Sequence, residues 1–141
     1  MLSLVYRSVA DNSFILPEIY SMLSRAKDYN SEHGITGCLL YHNSNFLQLL
    51  EGEEKEVQRL FEKISNDDRH HDIEIIKEES HKKPLFDCWS MAFHDYGQNA
   101  MSAHLKMQQI DSFVNDSDVF TVKSDLALPF FSNAKEILFS N

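Results

Sequence analysis

Glycine is scarce, with four in 141 residues. A loop that cradles phosphate needs several glycines so that backbone amides can approach the anion, and neither GxGxxG nor GxxxxGK[ST] occurs. GxSxG is absent as well, which leaves no nucleophile-elbow signature. Cysteine is rarer still. Cys38 lies in an apolar run and Cys88 beside Trp89, and they form no CxxC pair, so buried free thiols are expected rather than a disulfide or redox couple. Lysine and arginine total 13 against 22 acidic residues, a formal net charge of -9. A nucleic-acid backbone needs clustered cations, so none is expected as a partner, and the acidic balance reads as solubility. No stretch approaches a membrane span and no signal-peptide series is present, which predicts a soluble cytoplasmic protein with no membrane contact. The seven histidines form no HxxxH or Cys-His spacing, so no metal is expected.

What the chain does have is apolar: 43% hydrophobic and 11% aromatic residues suit one globular domain with a core, plus a short appendage. Leu2 to Arg7 reads as a strand, with Tyr6 on the face of Leu2 and Leu4 and with Ser3 and Arg7 on the other. Pro17 to His33 reads as an amphipathic helix, proline-led and stopped by Gly34, through Ile19, Met22, Leu23 and Ala26. Thr36 to His42 and Phe46 to Leu50 flank the turn residues His42-Asn43-Ser44-Asn45, which predicts a hairpin. Glu53 to Ser65 is helical through Val57, Leu60, Phe61 and Ile64, with Glu53, Glu54 and Glu56 at the anion-favouring end. Glu51, with Glu53 and Glu54, reads as the exposed start of that helix. Asp72 to Glu79 and Trp89 to Phe93 read as two further strands.

This order predicts an α+β, ferredoxin-like βαββαββ arrangement, a mostly antiparallel sheet with two helices on one face. Residues 1–95 form the domain, and 96–141 an extension with a helical case through Met101, Leu105 and Ile110. The tail from Leu126 to Phe139 is rich in phenylalanine, so it must pack on the domain, on another subunit or on a partner.

Three polar side chains point the wrong way for a simple core. Gln48 shares its strand side with Phe46 and Leu50, and Asn30 continues the apolar helix face four residues beyond Ala26. Tyr6 joins them from the first strand. A buried amide left unpaired costs about 1 to 3 kcal/mol, so such groups need a polar network or a ligand offering donors and acceptors. Taken singly, each is an ordinary core residue, as are Met22, Ile64, Trp89 and Met91; together they describe a site.

The runs Tyr29-Asn30-Ser31-Glu32-His33-Gly34-Ile35-Thr36-Gly37 and Phe46-Leu47-Gln48-Leu49-Leu50-Glu51-Gly52 resemble the BLUF blue-light sensor domain. So do the quartet Asp67-Asp68-Arg69-His70 and the triplet Trp89-Ser90-Met91. Order and spacing match over about residues 1 to 94, in the short stand-alone form of the family.

The resemblance implies a non-covalently bound flavin between the two helices, FAD in the first instance with FMN and riboflavin open. By resemblance Asn30 meets the O4 and N3 edge of the ring, and Gln48 lies between Tyr6 and the N5 and O4 atoms. Met22 and Ile64 match the residues that clamp the ring, and Tyr29 stands on its O2 side. Arg69, with Asp67, His70 and Arg25, matches the polar mouth at the ribityl chain and phosphate. The implied chemistry is light-driven transfer of an electron and a proton from Tyr6, reversal of the Gln48 hydrogen bonds, and a response at Trp89 or Met91. No substrate is consumed, and about 45 further residues are too few for an enzymatic output domain. Output through a downstream protein contact and a homo-oligomer are expected. The rival readings are a flavoenzyme, which needs a substrate opening beside N5, and a ferredoxin-like interaction module without flavin.

Overall fold

The chain starts with an interior strand. In the computed structural model, which describes residues 1–42, 44–80, 82–84, 93–95, 129 and 131–132, β1 (Leu2–Ala10) is followed by α1 (Leu16–Glu32), β2 (Thr36–His42), β3 (Asn45–Gly52), α2 (Glu54–Ser65), β4 (His70–Ser80) and β5 (Phe93–Asp95). The sheet order is β4-β1-β3-β2-β5. β1 pairs antiparallel with both β3 and β4, β2 pairs antiparallel with β3, and β5 adds a parallel edge to β2. This is the ferredoxin-like order expected from the periodicities, with one parallel strand appended. Trp89, Met91 and the expected helix after residue 96 lie outside the described residues.

Two helices cover one face. Leu2, Leu4 and Tyr6 of β1, Leu39 of β2, and Phe46 and Leu50 of β3 form a cluster there with Ile19 of α1 and Val57 of α2. Proline at the first turn of α1 supplies helical φ where an N–H would be unused, and no side chain caps the helix. The Glu54 and Glu56 carboxylates of α2 sit at its N-terminal end, where the helix dipole favours them.

The other face is also buried, and here the sequence reading is corrected. Ser3, Val5, Cys38, Leu40, Leu47 and Leu49 are sealed from solvent, and Glu51 is a buried strand residue rather than the exposed start of α2. Its Oε2 accepts a 2.7 Å hydrogen bond from Ser3 Oγ, directly across the β1–β3 ladder. Phe131 of the phenylalanine-rich tail is fully buried, so at that point the tail packs within the chain. A sheet covered on both sides loses the alternation of polar and apolar residues, which explains why β1 is buried almost throughout.

Register organises the site. Ile75, Tyr6, Gln48, Leu39 and Phe93 occupy one transverse row across all five strands. Two irregularities in the β1–β4 pairing, between Val5 and Tyr6 and between Arg7 and Val9, bracket Tyr6, and Asp72 takes a left-handed φ of 55° within the second. At Gly37 the β3 backbone lies close against β2: a Cβ there would sit 1.9 Å from the Leu49 carbonyl oxygen.

Candidate functional site

Between the helices and the sheet lies a cavity enclosing about 540 Å³ of space, part of it open to solvent. Tyr6, Met22, Gln48, Ile64, Asp67, Arg69 and His70 all line it, which brings together seven of the ten residues singled out for cofactor binding. β1 and β3 present Tyr6 and Gln48 from its floor because both lie on the helix-facing side of the sheet. Met22 and Ile64 enter from opposite helices.

Tyr6 is 3% exposed and Gln48 7%, and the phenol O–H donates to Gln48 Oε1. The Tyr6 ring is held laterally by Phe61 of α2, 5.4 Å between centroids, and by the edge-on ring of His70 at 6.5 Å. Burial pushes the Tyr6 pKa far above its ordinary value, and the Asp67 charge adds to the effect. A bare phenolate is therefore strongly disfavoured at this position.

At the mouth, the guanidinium of Arg69 forms a fork on Asp67: Nε reaches Oδ1 at 2.9 Å and Nη2 reaches Oδ2 at 2.5 Å. The hydrogen bond from Arg69 holds the Asp67 carboxyl below the usual carboxylate range. The same guanidinium lies 5.0 Å from the centre of the Phe14 ring. Phe14 lines the cavity and was missed in the sequence, because it sits in the β1–α1 connection where no periodicity marks it.

Asn30 lies one turn beyond the cavity residue Ala26 on α1 and is 1% exposed. Among the described residues its side-chain Nδ2 and Oδ1 both lack a partner, although its backbone oxygen accepts from Ile35 N–H at 2.8 Å. A buried amide with both ends open fits a ligand edge carrying an acceptor next to a donor, as the flavin O4 and N3–H do. Two residues expected at the flavin stand elsewhere. Arg25 is exposed and outside the cavity wall. Tyr29 sits on the helix rim, stacked on His33 at 3.9 Å with Lys63 Nζ 4.4 Å above its ring, so it bridges α1 and α2 rather than lining the cavity.

Architecture and site together define a flavin-binding sensor domain. The family model described as sensors of blue light using FAD, BLUF, matches residues 1–92. The chain belongs to the BLUF family of blue-light sensors. Over 71 residues it is 38% identical to the blue light- and temperature-regulated antirepressor BluF of Escherichia coli K12, covering 50% of this chain and 18% of that protein. It is 32% identical over 83 residues to the beta subunit of the photoactivated adenylate cyclase of Euglena gracilis, covering 59% of this chain and 9% of that one. The chain thus spans less than a fifth of these curated relatives. The photo-activated structure of BlsA superposes with a TM-score of 0.78 at 32% identity, over 99% of this chain and 96% of that one. The dark-state structure of BlrB shares the fold, with a TM-score of 0.79 at 24% identity over 95% and 93% of the two chains.

Proposed function

We propose that Tyr6 and Gln48 form a light-driven hydrogen-bond switch beside a bound FAD, and that this chain reports the switch by protein contact and not by catalysis. The observation that carries this reading is the donation from Tyr6 O–H to Gln48 Oε1 in a cavity wall, with the open amide of Asn30 on the adjoining helix. When bound, a flavin excited by blue light supplies a strong one-electron oxidant.

Tyr6 is the electron donor. Because its phenolate is disfavoured by burial, the proton leaves with the electron and not ahead of it. The existing hydrogen bond gives that proton a route to Gln48 Oε1. A carboxamide accepts at one end and donates at the other, so rotation or tautomerisation reverses what it presents. When electron and proton return to Tyr6, Gln48 keeps the reversed arrangement as the signalling state. Asn30 orients the polar ring edge, Met22 and Ile64 hold the ring between the helices, and Arg69 takes the first phosphate of the tail, a geometry that suits a guanidinium.

The output is a contact made by residues 96–141, either with a downstream protein or with a second copy of the chain in a cytoplasmic homo-oligomer. The antirepressor relative, named for action on another protein, supports this direction. The test is an absorption spectrum of purified protein. A yellow sample whose spectrum shifts reversibly to the red in blue light supports the switch, bleaching to reduced flavin supports a flavoenzyme, and a colourless protein supports an interaction module. Tyr6→Phe keeps the flavin and loses the shift; a normal photocycle in Tyr6→Phe overturns the donor assignment. Chromatography of the released chromophore distinguishes FAD from FMN and riboflavin, and sizing of dark and lit samples tests assembly as the output.

A further inference from the structure

His70 is committed twice inside the protein. Its Nε2 lies 2.7 Å from the backbone oxygen of Ile64, and its Nδ1 lies 2.7 Å from Ser8 Oγ. A carbonyl oxygen only accepts, so Nε2 must carry a hydrogen. The Ile64 carbonyl also accepts from Asp67 N–H at 3.1 Å, which fills its capacity at the end of α2. Ser8 is buried, and among the described residues its hydroxyl has no other partner. The assignment that satisfies every atom is the neutral ring, with Nε2–H donating to Ile64 and Ser8 O–H donating to Nδ1.

This ring connects two parts of the site. Ser8 lies two residues from Tyr6 on the same face of β1, and Ile64 is the α2 residue in the cavity wall. The His70 ring itself stands edge-on to Tyr6, which also packs against Phe61. Tyr6 thereby meets Gln48 at its hydroxyl and packs its ring against those of Phe61 and His70.

We propose that His70 is a positioning residue, a neutral Nε2–H imidazole that ties the Tyr6 strand to the α2 end carrying Ile64 and so sets where the phenol stands against the chromophore. The inference rests on the photochemical reading above for its consequence, though not for its geometry. A donor displaced by even about 1 Å loses rate steeply.

The experiment uses the flavin-loaded full chain with His70→Ala, His70→Gln and Ser8→Ala. Flavin content and the yield of red-shifted state per absorbed photon are read separately. In the protein that holds flavin, His70→Ala lowers that yield by about fivefold or more, as expected of misplaced reacting groups. His70→Gln restores most of it, because an amide can donate to Ile64 and accept from Ser8. Ser8→Ala falls between wild type and His70→Ala.

An unchanged yield in His70→Ala, or a His70→Gln yield as low as that of His70→Ala, overturns the proposal. If His70→Ala fails to hold flavin, Ser8→Ala decides: a lowered yield supports the tie and an unchanged yield overturns it. Nitrogen-15 NMR of histidine-labelled dark protein gives an independent arm, where Nε2 protonated and Nδ1 bare is expected and the opposite tautomer overturns the assignment. A wild-type sample that shows no red shift refutes the photochemical reading instead, and the tautomer measurement still stands.

Discussion

Tyr6 and Gln48 stand directly opposite one another in the β1–β3 ladder, with the phenol donating to the amide oxygen. Backbone pairing therefore fixes the pair before any ligand arrives. Side chains opposite one another on one face have Cβ atoms about 5 Å apart, so the contact needs no rearrangement of either strand.

Replacing Gln48 by Leu leaves the Tyr6 hydroxyl buried without its acceptor, a loss of about 1 kcal/mol after the gain in apolar burial. Flavin remains bound, because the ring clamps and Asn30 are untouched, while the lasting red shift disappears. Light-minus-dark spectra and urea unfolding check the two halves, and a persistent red shift in Gln48→Leu removes Gln48 from the switch.

Asn30→Leu should move stability and binding in opposite directions. Among the described residues the amide atoms of Asn30 have no partner, so an apolar side chain of similar size raises the stability of the flavin-free protein by about 1 kcal/mol. Flavin affinity falls by about tenfold or more as the ring loses its amide contacts. Thermal melts of the stripped protein and fluorescence titration with flavin measure each part; a less stable stripped variant contradicts the prediction.

Gly37→Ala places a Cβ 1.9 Å from the Leu49 carbonyl, against backbone on the neighbouring strand that cannot swing aside. Destabilisation of about 3 kcal/mol is expected, with β2 and β3 forced apart. The urea midpoint measures it, and a loss below about 1 kcal/mol would show that the strands give way easily.

The Asp67–Arg69 fork makes stability depend on acid pH. Asp67 has a lowered folded-state pKa, so its contribution is complete above the unfolded value of about 3.9 and disappears as pH falls through the folded one. Wild type should therefore exceed Asp67→Asn in urea resistance at neutral pH, with the gap closing as the pH falls below about 4. The fork is partly exposed, so added salt shrinks the gap as well.

Most of the framework was readable because the apolar residues of each element repeat with the period of that element. β1 proved longer than the strand read to Arg7, since Ser8 interrupts the apolar run and its reason for being buried, His70, is 62 residues away. Glu51 misled for a related reason. A carboxylate followed by Glu53 and Glu54 looks like a helix start, and only the far-face covering and the Ser3 partner make it a strand residue. The inward turn of Tyr6, Asn30 and Gln48 was visible from period alone, whereas the outward place of Arg25 and the rim position of Tyr29 depend on where α1 settles over the sheet.

The transverse row through Tyr6, Gln48, Leu39 and Phe93 gives the buried phenol a short way out. Neighbouring strands are spaced by about 4.8 Å, so three sideways steps, roughly 14 Å, lead from the middle of the sheet to its rim. β1 is paired on both flanks along its length, while among the described residues β5 is joined to β2 by three residue pairs. Among the described residues that ribbon is the least extensively paired strand, and it lies at the end of the line that starts at Tyr6.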